Sequence, residues 1–222
     1  MVKNYSIAID GPSASGKSTV AKLVAKKLGF VYIDTGAMYR AFTYAVILNG
    51  LNPENEEEAS SLVNKIDINF SDENKILLNG KDVSREIRDN LVANNVSFIA
   101  SYKQVRLFLV DLQRKIASNK NVVMDGRDIG TYVLKDANLK IFQVASVEER
   151  SKRRYLENKE KGIDTTYEDC YKNITTRDYI DSHRAFCPLE PAKDSIEINT
   201  TEMTIDEVVD AILVEAKKKG IN

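Results

Sequence analysis

Gly11-Pro12-Ser13-Ala14-Ser15-Gly16-Lys17-Ser18-Thr19 satisfies the pattern G-x-x-x-x-G-K-[S/T] at every fixed position. That pattern has physical meaning only when a buried strand delivers it and a helix leaves it. Before it, Tyr5-Ser6-Ile7-Ala8-Ile9 is a short apolar run ending at Asp10. After it, Val20, Leu23, Val24 and Leu28 recur at helical spacing, and Gly29 suits a helix C-cap. In such a loop the backbone N–H groups cup phosphate oxygens at a helix N-terminus, where the macrodipole favours anions. Lys17 would reach the β- and γ-phosphates and the Ser18 hydroxyl would hold Mg²⁺. A Gly/Ser-rich turn before an ordinary helix shares this composition, but not strand, Lys-Ser pair and helix in register. The stretch Gly11 to Thr19 therefore reads as a nucleotide-binding loop.

Outward from the loop, apolar runs alternate with helical patterns. Phe30-Val31-Tyr32-Ile33 ends in Asp34-Thr35-Gly36, much as the first run ends in Asp10-Gly11. Met38, Phe42, Ala45, Val46, Leu48 and Leu51 give the next helix a broad apolar face, and Tyr39 and Arg40 lie at its start. Glu54 to Val63 reads as a surface helix, acidic in its first turns. From Ile66 to Val83 the period changes: Ile66, Ile68 and Phe70 alternate, Asp72-Glu73-Asn74 reads as a turn, and Ile76, Leu77 and Leu78 precede Asn79-Gly80, a strong hairpin signal. Ser84 to Ser101 and Lys103 to Ala117 read as two helices carrying Arg85, Arg88, Ser97, Arg106 and Arg114.

A third buried run, Asn121 to Met124, opens Asp125-Gly126-Arg127-Asp128-Ile129-Gly130, and a fourth spans Leu139 to Val144. Capping boxes are predicted at Ser146/Glu149, at Thr165/Glu168 and at Thr204/Glu207, with a last short strand at Ser195 to Ile198. Alternating strands and helices imply an α/β fold, a parallel sheet flanked by helices, with a small antiparallel β insert. Ligands of such sheets bind beyond the carboxyl ends of the strands. The clusters at 10–18, 34–40 and 125–130 each follow an apolar run, so they should line one crevice.

The chain's 222 residues suffice for one α/β domain with an insertion. Its 32 Lys+Arg and 33 Asp+Glu leave a net charge of −1, which argues against a general nucleic-acid or membrane-surface binder. Cys170 and Cys187 are far apart and lack a metal-ligand pattern, so reduced thiols in a cytoplasmic protein are expected. The first residues lead straight into a strand without a signal-peptide pattern, and no apolar run is long enough to span a bilayer. Nothing in the sequence demands more than a monomer.

Only one histidine, His183, is present, and no Ser/His/Asp or Cys/His set is visible. Phosphoryl transfer dispenses with a base when the acceptor is an ionised phosphate, whose second pKa is about 6. Catalysis then reduces to alignment and charge neutralisation, a task for Lys, Mg²⁺ and arginines. The chain offers Arg40, Arg106, Arg127, the group Arg150/Arg153/Arg154, Arg177 and Arg184. Any one alone reads first as a solvated surface charge. Arg40 and Arg127 stand apart because they follow strand ends. The helical triplet, with Glu157 in reach, also fits an exposed ion-pair face.

Several strings together carry a family resemblance: Ile9 to Ser13, Asp34-Thr35-Gly36-Ala37-Met38-Tyr39-Arg40, Asp125 to Gly130, Glu148-Glu149-Arg150 with Arg153-Arg154, and Arg177-Asp178 through Asp181 and Arg184 to Pro188-Leu189. Over essentially its whole length the chain resembles the bacterial cytidylate kinases, nucleoside monophosphate kinases of the P-loop class. The resemblance implies transfer of a phosphoryl group from ATP to CMP or dCMP with Mg²⁺. It implies that Gly11, Pro12, Ser13, Ala14, Ser15, Gly16, Lys17, Ser18 and Thr19 hold ATP. Thr35, Tyr39 and Arg40 would border the CMP phosphate and sugar; Ser97, Arg106 and Asp128 would meet cytosine; Asp181 would bind ribose. Arg127 and Arg184 would meet the CMP phosphate. Lys17, Arg127, Arg184 and the lid arginines Arg150 and Arg154 would neutralise transferred charge. The implied organisation is a core of about 1–64, 102–146 and 185–222, a CMP-binding insert at 65–101 and a helical lid at 147–184.

Two positions depart from the family pattern. Ala14 stands where Gly is more usual, so an ordinary φ is expected there. Thr35 replaces Ser and keeps the hydroxyl. Rival readings are a kinase for UMP, a deoxynucleoside or a cyclic acid such as shikimate, and a non-catalytic nucleotide-binding module. A regulatory GTPase is suggested only by Asn64-Lys65-Ile66-Asp67, which follows a surface helix instead of closing a buried strand.

Overall fold

The computed structural model describes residues 4–71 and 73–221. Two compact units divide them, one built from the chain up to Tyr32 and from Lys120 onward, the other from Ile33–Asn119.

The first unit carries a five-stranded sheet in the order β2-β6-β1-β7-β8, from β1 (Ser6–Asp10), β2 (Val31–Asp34), β6 (Val122–Gly126), β7 (Leu139–Val144) and β8 (Ile196–Asn199). β1 pairs in parallel with both β6 and β7, and β7 with β8. Strands covered on both faces read as continuous apolar runs, and Ile7, Ala8, Ile9, Val122, Val123 and Met124 are all fully buried. On one face, α1 (Lys17–Leu28) and α8 (Ile205–Lys218) bring Val20, Val24, Val208, Val209 and Ile212 onto Ile7, Ile9, Val123 and Ile141. Gly29 ends α1 in the left-handed conformation, its N–H donating to Ala25 and Lys26 carbonyls. Thr204 and Glu207 form a complete capping box on α8.

The second unit is built on α2 (Thr35–Leu48), with α3 (Glu56–Ser60), α4 (Asn90–Ser101), α5 (Lys103–Ala117) and an antiparallel sheet β3-β4-β5 (Ile68–Phe70, Ile76–Leu78, Lys81–Asp82). α2 packs on α4 and β4, and Phe42 meets Phe108 edge-on at 6.1 Å. Asn79 and Gly80 take φ of 49° and 78°, the left-handed pair a tight hairpin needs. Asp72, part of the expected turn before β4, lies outside the described residues.

Several local expectations are corrected. The helix expected over 54–63 is only Glu56–Ser60, capped by Asn55; Ser60 and Ser61 are weak helix formers, and the chain leaves through turns to left-handed Asn64. The helix expected over 84–101 breaks at Asp89, which ends a short 3₁₀ turn (Glu86–Arg88) and caps α4 by accepting from the Leu91 N–H. The box expected at Thr165/Glu168 forms one residue later, Thr166 with Asp169, at the start of α7 (Tyr167–His183). At α6 (Val147–Glu160) only half a box forms: Ser146 caps the Glu149 N–H, but the Glu149 carboxylate turns to Arg153 at 2.9 Å. The Ser146 N–H goes instead to Thr201 Oγ1. The last strand lies one residue later than expected, at Ile196–Asn199.

One close approach governs the sheet beside the loop. A Cβ placed on Gly11 would stand 2.1 Å from the Gln143 carbonyl oxygen, a backbone atom of β7 that cannot retreat without parting β1 from β7. Gly11→Ala should therefore cost about 3 kcal/mol or more, read as a fall in the urea midpoint at unchanged m-value; an unchanged midpoint would refute the constraint.

Candidate active site

Asp10 ends β1 opposite Gly126, the last residue of β6. Its carboxylate is buried and accepts from the N–H of Ile129 at 2.9 Å and of Gly130 at 2.8 Å, fastening the turn that follows β6. Burial lifts its pKa to about 7, against the pull of those two N–H groups and of Lys17.

The loop Gly11 to Thr19 leaves from there. Gly16 is left-handed and caps α1, and Ala14 has φ 58°, overturning the expected ordinary φ. Contacts flank this turn: the Ser13 N–H donates to Asp178, the Ser13 carbonyl accepts from Arg150, and the Ser15 carbonyl accepts from Gln143 Nε2 at 2.5 Å. Lys17 is buried, with Nζ donating to the Pro12 carbonyl at 2.9 Å. Its pKa falls to about 7, first through burial and next through the Arg127 charge, while Asp125, Asp181 and Asp10 act to raise it.

Ser18 Oγ donates to Asp125 Oδ2 at 2.7 Å, and Tyr32 donates its phenolic proton to Asp125 Oδ1 at 2.9 Å. Among the described residues no group of three or more His, Cys, Asp or Glu could hold a metal. One hydroxyl and one carboxylate suit a cation that keeps its waters and takes further oxygens from a phosphate, which is the habit of Mg²⁺.

Beyond β6, Arg127 Nε donates to Asp181 Oδ2 at 2.8 Å. Arg184 is buried, with its guanidinium 3.8 Å from Asp181 Oδ1 and 3.4 Å from Asp128 Oδ1. Burial alone would lift the Asp181 carboxyl, yet Arg127 and Arg184 hold it below the usual range. The four residues thus form one alternating chain, Arg127–Asp181–Arg184–Asp128.

The three arginines expected to form one lid surface have different settings. Arg150 is buried and bonded to Asp178 and to the Ser13 and Ala145 carbonyls. Arg153 bonds Glu149 and the Thr200 carbonyl. Arg154 is half-exposed, 3.8 Å from Glu157. His183 is on the surface and stacks on Tyr179.

In the second unit Asp34 caps α2 by accepting from the Ala37 N–H, and Arg40 lies 3.4 Å from its other oxygen. Thr35 is buried at the first turn. Arg106, fully buried, lies over the Tyr39 ring at 5.3 Å and donates to the Ala100 carbonyl. Ser97 is buried on α4.

Sequence reading missed Asp125 as the partner of Ser18, although an apolar run ending in Asp was its signal. It gave no role to Asp10, which ends an apolar run in the same way; it also missed Tyr32 and Gln143, which carry no local pattern, and Asp178, which stood unassigned in the Arg177-Asp178 string. Neither Cys170 nor Cys187 is in a disulfide, and no helix among the described residues is long and apolar enough to cross a membrane.

Residues 7–218 match the family model described as cytidylate kinase. A cytidylate kinase of Streptococcus thermophilus is 51% identical over 221 residues, covering 98% of each chain. One of Bacillus subtilis is 49% identical over 223 residues, covering 99% of this chain and 100% of its own. Among solved structures, a gluconokinase from Sinorhizobium meliloti superposes with a TM-score of 0.51 at 12% identity, over 96% of this chain and 92% of that one, a likeness of fold alone. On the full-length family match and these identities, the chain belongs to the cytidylate kinase family.

Proposed function

We propose that this protein is a (d)CMP kinase, transferring the γ-phosphoryl group of ATP to the phosphate of CMP or dCMP to give ADP and CDP or dCDP. The observation that carries this reading is the setting of Lys17. One buried ammonium belongs to the phosphate loop and also feels Arg127 and Asp181 of the arginine–aspartate chain. Donor and acceptor phosphates placed there would share one positive centre.

In this reading Gly11 to Thr19 bind the ATP phosphates through backbone N–H groups, with the carbonyls of Pro12, Ser13 and Ser15 already engaged by side-chain donors. Ser18 and Asp125 would hold Mg²⁺, which supplies charge neutralisation at the phosphates. Tyr32 orients Asp125 by occupying its second oxygen. Arg127 and Arg184 bind the CMP phosphate, Asp181 accepts from the sugar, and Asp128 accepts from the cytosine amino group. The ion pairs hold these side chains in place before substrate arrives, so less ordering remains to be done. Thr35, Tyr39, Arg40, Ser97 and Arg106 of the second unit are the further residues assigned to CMP, with Arg106 held by its stacking on Tyr39. Arg154 is the lid arginine free enough to swing onto transferred charge. Closure involves the 147–184 lid and the 65–101 insert, set on a core of 1–64, 102–146 and 185–222. The near-neutral net charge fits a cytoplasmic monomer acting on small molecules instead of nucleic acid or membranes.

A coupled ADP-release assay across nucleoside monophosphates should show CMP and dCMP preferred over UMP by about 10⁴-fold in kcat/KM, because a site built around an exocyclic amine leaves buried groups unpaired with the wrong base; equal rates would sink the cytosine assignment. Lys17→Ala and Arg154→Ala should each lower kcat about 10³-fold if they meet transition-state charge, and an unchanged kcat for Arg154→Ala would return that residue to a solvated ion pair with Glu157. Since Lys17 titrates near 7 without nucleotide, and phosphate charge raises an ammonium pKa, ATP binding at pH 8 should take up close to one proton. That uptake should fade as pH falls below 6, where Lys17 is already charged. Calorimetry in two buffers of different ionisation enthalpy reads it directly.

A further inference from the structure

Helices α6 and α7 reach the phosphate loop at one residue, Ser13. The Ser13 N–H donates to Asp178 Oδ1 at 3.2 Å, Arg150 Nη1 donates to Asp178 Oδ2 at 2.6 Å, and the same Nη1 donates to the Ser13 carbonyl at 2.9 Å. These three bonds close a ring through the N–H and carbonyl of Ser13. Arg150 Nε donates to the Ala145 carbonyl at 2.9 Å, which fixes the guanidinium from behind. Ser13 and Arg150 are 3% and 4% exposed, so water competes little for their groups, while the Asp178 side chain is partly open at 22%. The next residue along the chain is Ala14, at φ 58°. An L-residue with a Cβ avoids that region, by roughly a factor of ten at each such position, whereas Gly enters it freely.

We infer that Arg150 and Asp178 are positioning residues which clamp Ser13 and thereby hold Ala14 left-handed, keeping the phosphate loop in its nucleotide-binding shape. Three of the five guanidinium protons of Arg150 are committed within the protein. Both Nη1 protons of Arg150 are directed at the clamp, and its Nε proton at Ala145. A loop ending in Gly at position 14 would need little help to hold this turn. With Ala there, the competent conformer is a fraction of the population unless something selects it, and apparent ATP affinity falls by that fraction. Asp178 and Arg150 supply the selection from two different helices, which also ties the loop to the α6–α7 pair.

The inference rests on the loop's binding ATP, and a thermodynamic cycle separates the two. ATP affinity is measured by calorimetry for the native chain, D178N, A14G and the D178N/A14G double variant, with steady-state kcat and both KM values alongside. D178N should weaken ATP binding about tenfold in the native background and about twofold or less when A14G is also present, while the CMP KM stays constant. R150M, which leaves no buried guanidinium behind, should repeat the pattern, and melting curves restrict the comparison to folded variants. Equal losses with and without A14G, for both D178N and R150M, would overturn the clamp and leave the ATP reading standing. A fall in kcat at constant ATP affinity would also overturn it, making Arg150 a group that meets transferred charge. A native chain that bound no ATP would overturn the ATP reading and the clamp with it.

Discussion

A loop that offers its N–H groups to an anion turns its carbonyls the other way, and each buried carbonyl needs a donor. Here the donors are side chains from three separate elements. Lys17 of α1 serves Pro12, Arg150 of α6 serves Ser13, and Gln143 of β7 serves Ser15, with Arg153 Nη1 at 3.4 Å from the same oxygen. The loop is therefore not a local motif in energetic terms. Its shape depends on β7 lying beside β1, on α6 following β7, and on a residue at position 11 with no Cβ to strike the β7 backbone. The order of strands and the start of α6 can be understood as the framework this loop requires.

Around that loop the charges are arranged in alternation. Asp10, Lys17, Asp125, Arg127, Asp181 and Arg184 all lie in the interior of the first unit, and each has an opposite charge among its neighbours. Breaking such a buried pair leaves an uncompensated charge and costs about 3–5 kcal/mol. The arrangement need not add net stability, because its effect is to hold each charged side chain in one position. Lys17 is the exception that reveals the task. Burial and Arg127 pull its proton affinity down to the neutral range. The chain's overall charge of −1 gives no hint of this local polarity.

Much of the fold was legible because its local rules agree with one another. The phosphate-loop pattern, the apolar runs that end in Asp, the Asn79-Gly80 turn and the Thr204/Glu207 box each appear in the structure where the residues placed them. Misreadings occurred where two local solutions were close in energy. Thr165 and Thr166 are adjacent candidates for one cap, and the shorter Asp169 reaches back to the second. Glu149 had a choice between the Ser146 N–H and Arg153, and an arginine one turn along wins through charge. Asp89 lies inside an otherwise helical pattern, yet its carboxylate caps a new helix. Within the candidate site, Arg150 and Arg154 share a helix face by spacing, but one is buried against the loop and the other is half-exposed.

By itself the sequence determined the phosphate loop, the alternation that makes a parallel sheet, and the family strings, since these rest on short-range spacing and on residue types with one physical use. Tertiary structure alone decided which carboxylate partners Ser18, which arginine is held by Asp178, and that Ala14 is left-handed. Those outcomes join residues 107, 28 and 165 positions apart. No local propensity encodes such pairings, because they exist only once the sheet has set β1, β6 and β7 side by side and α6 and α7 have packed against each other.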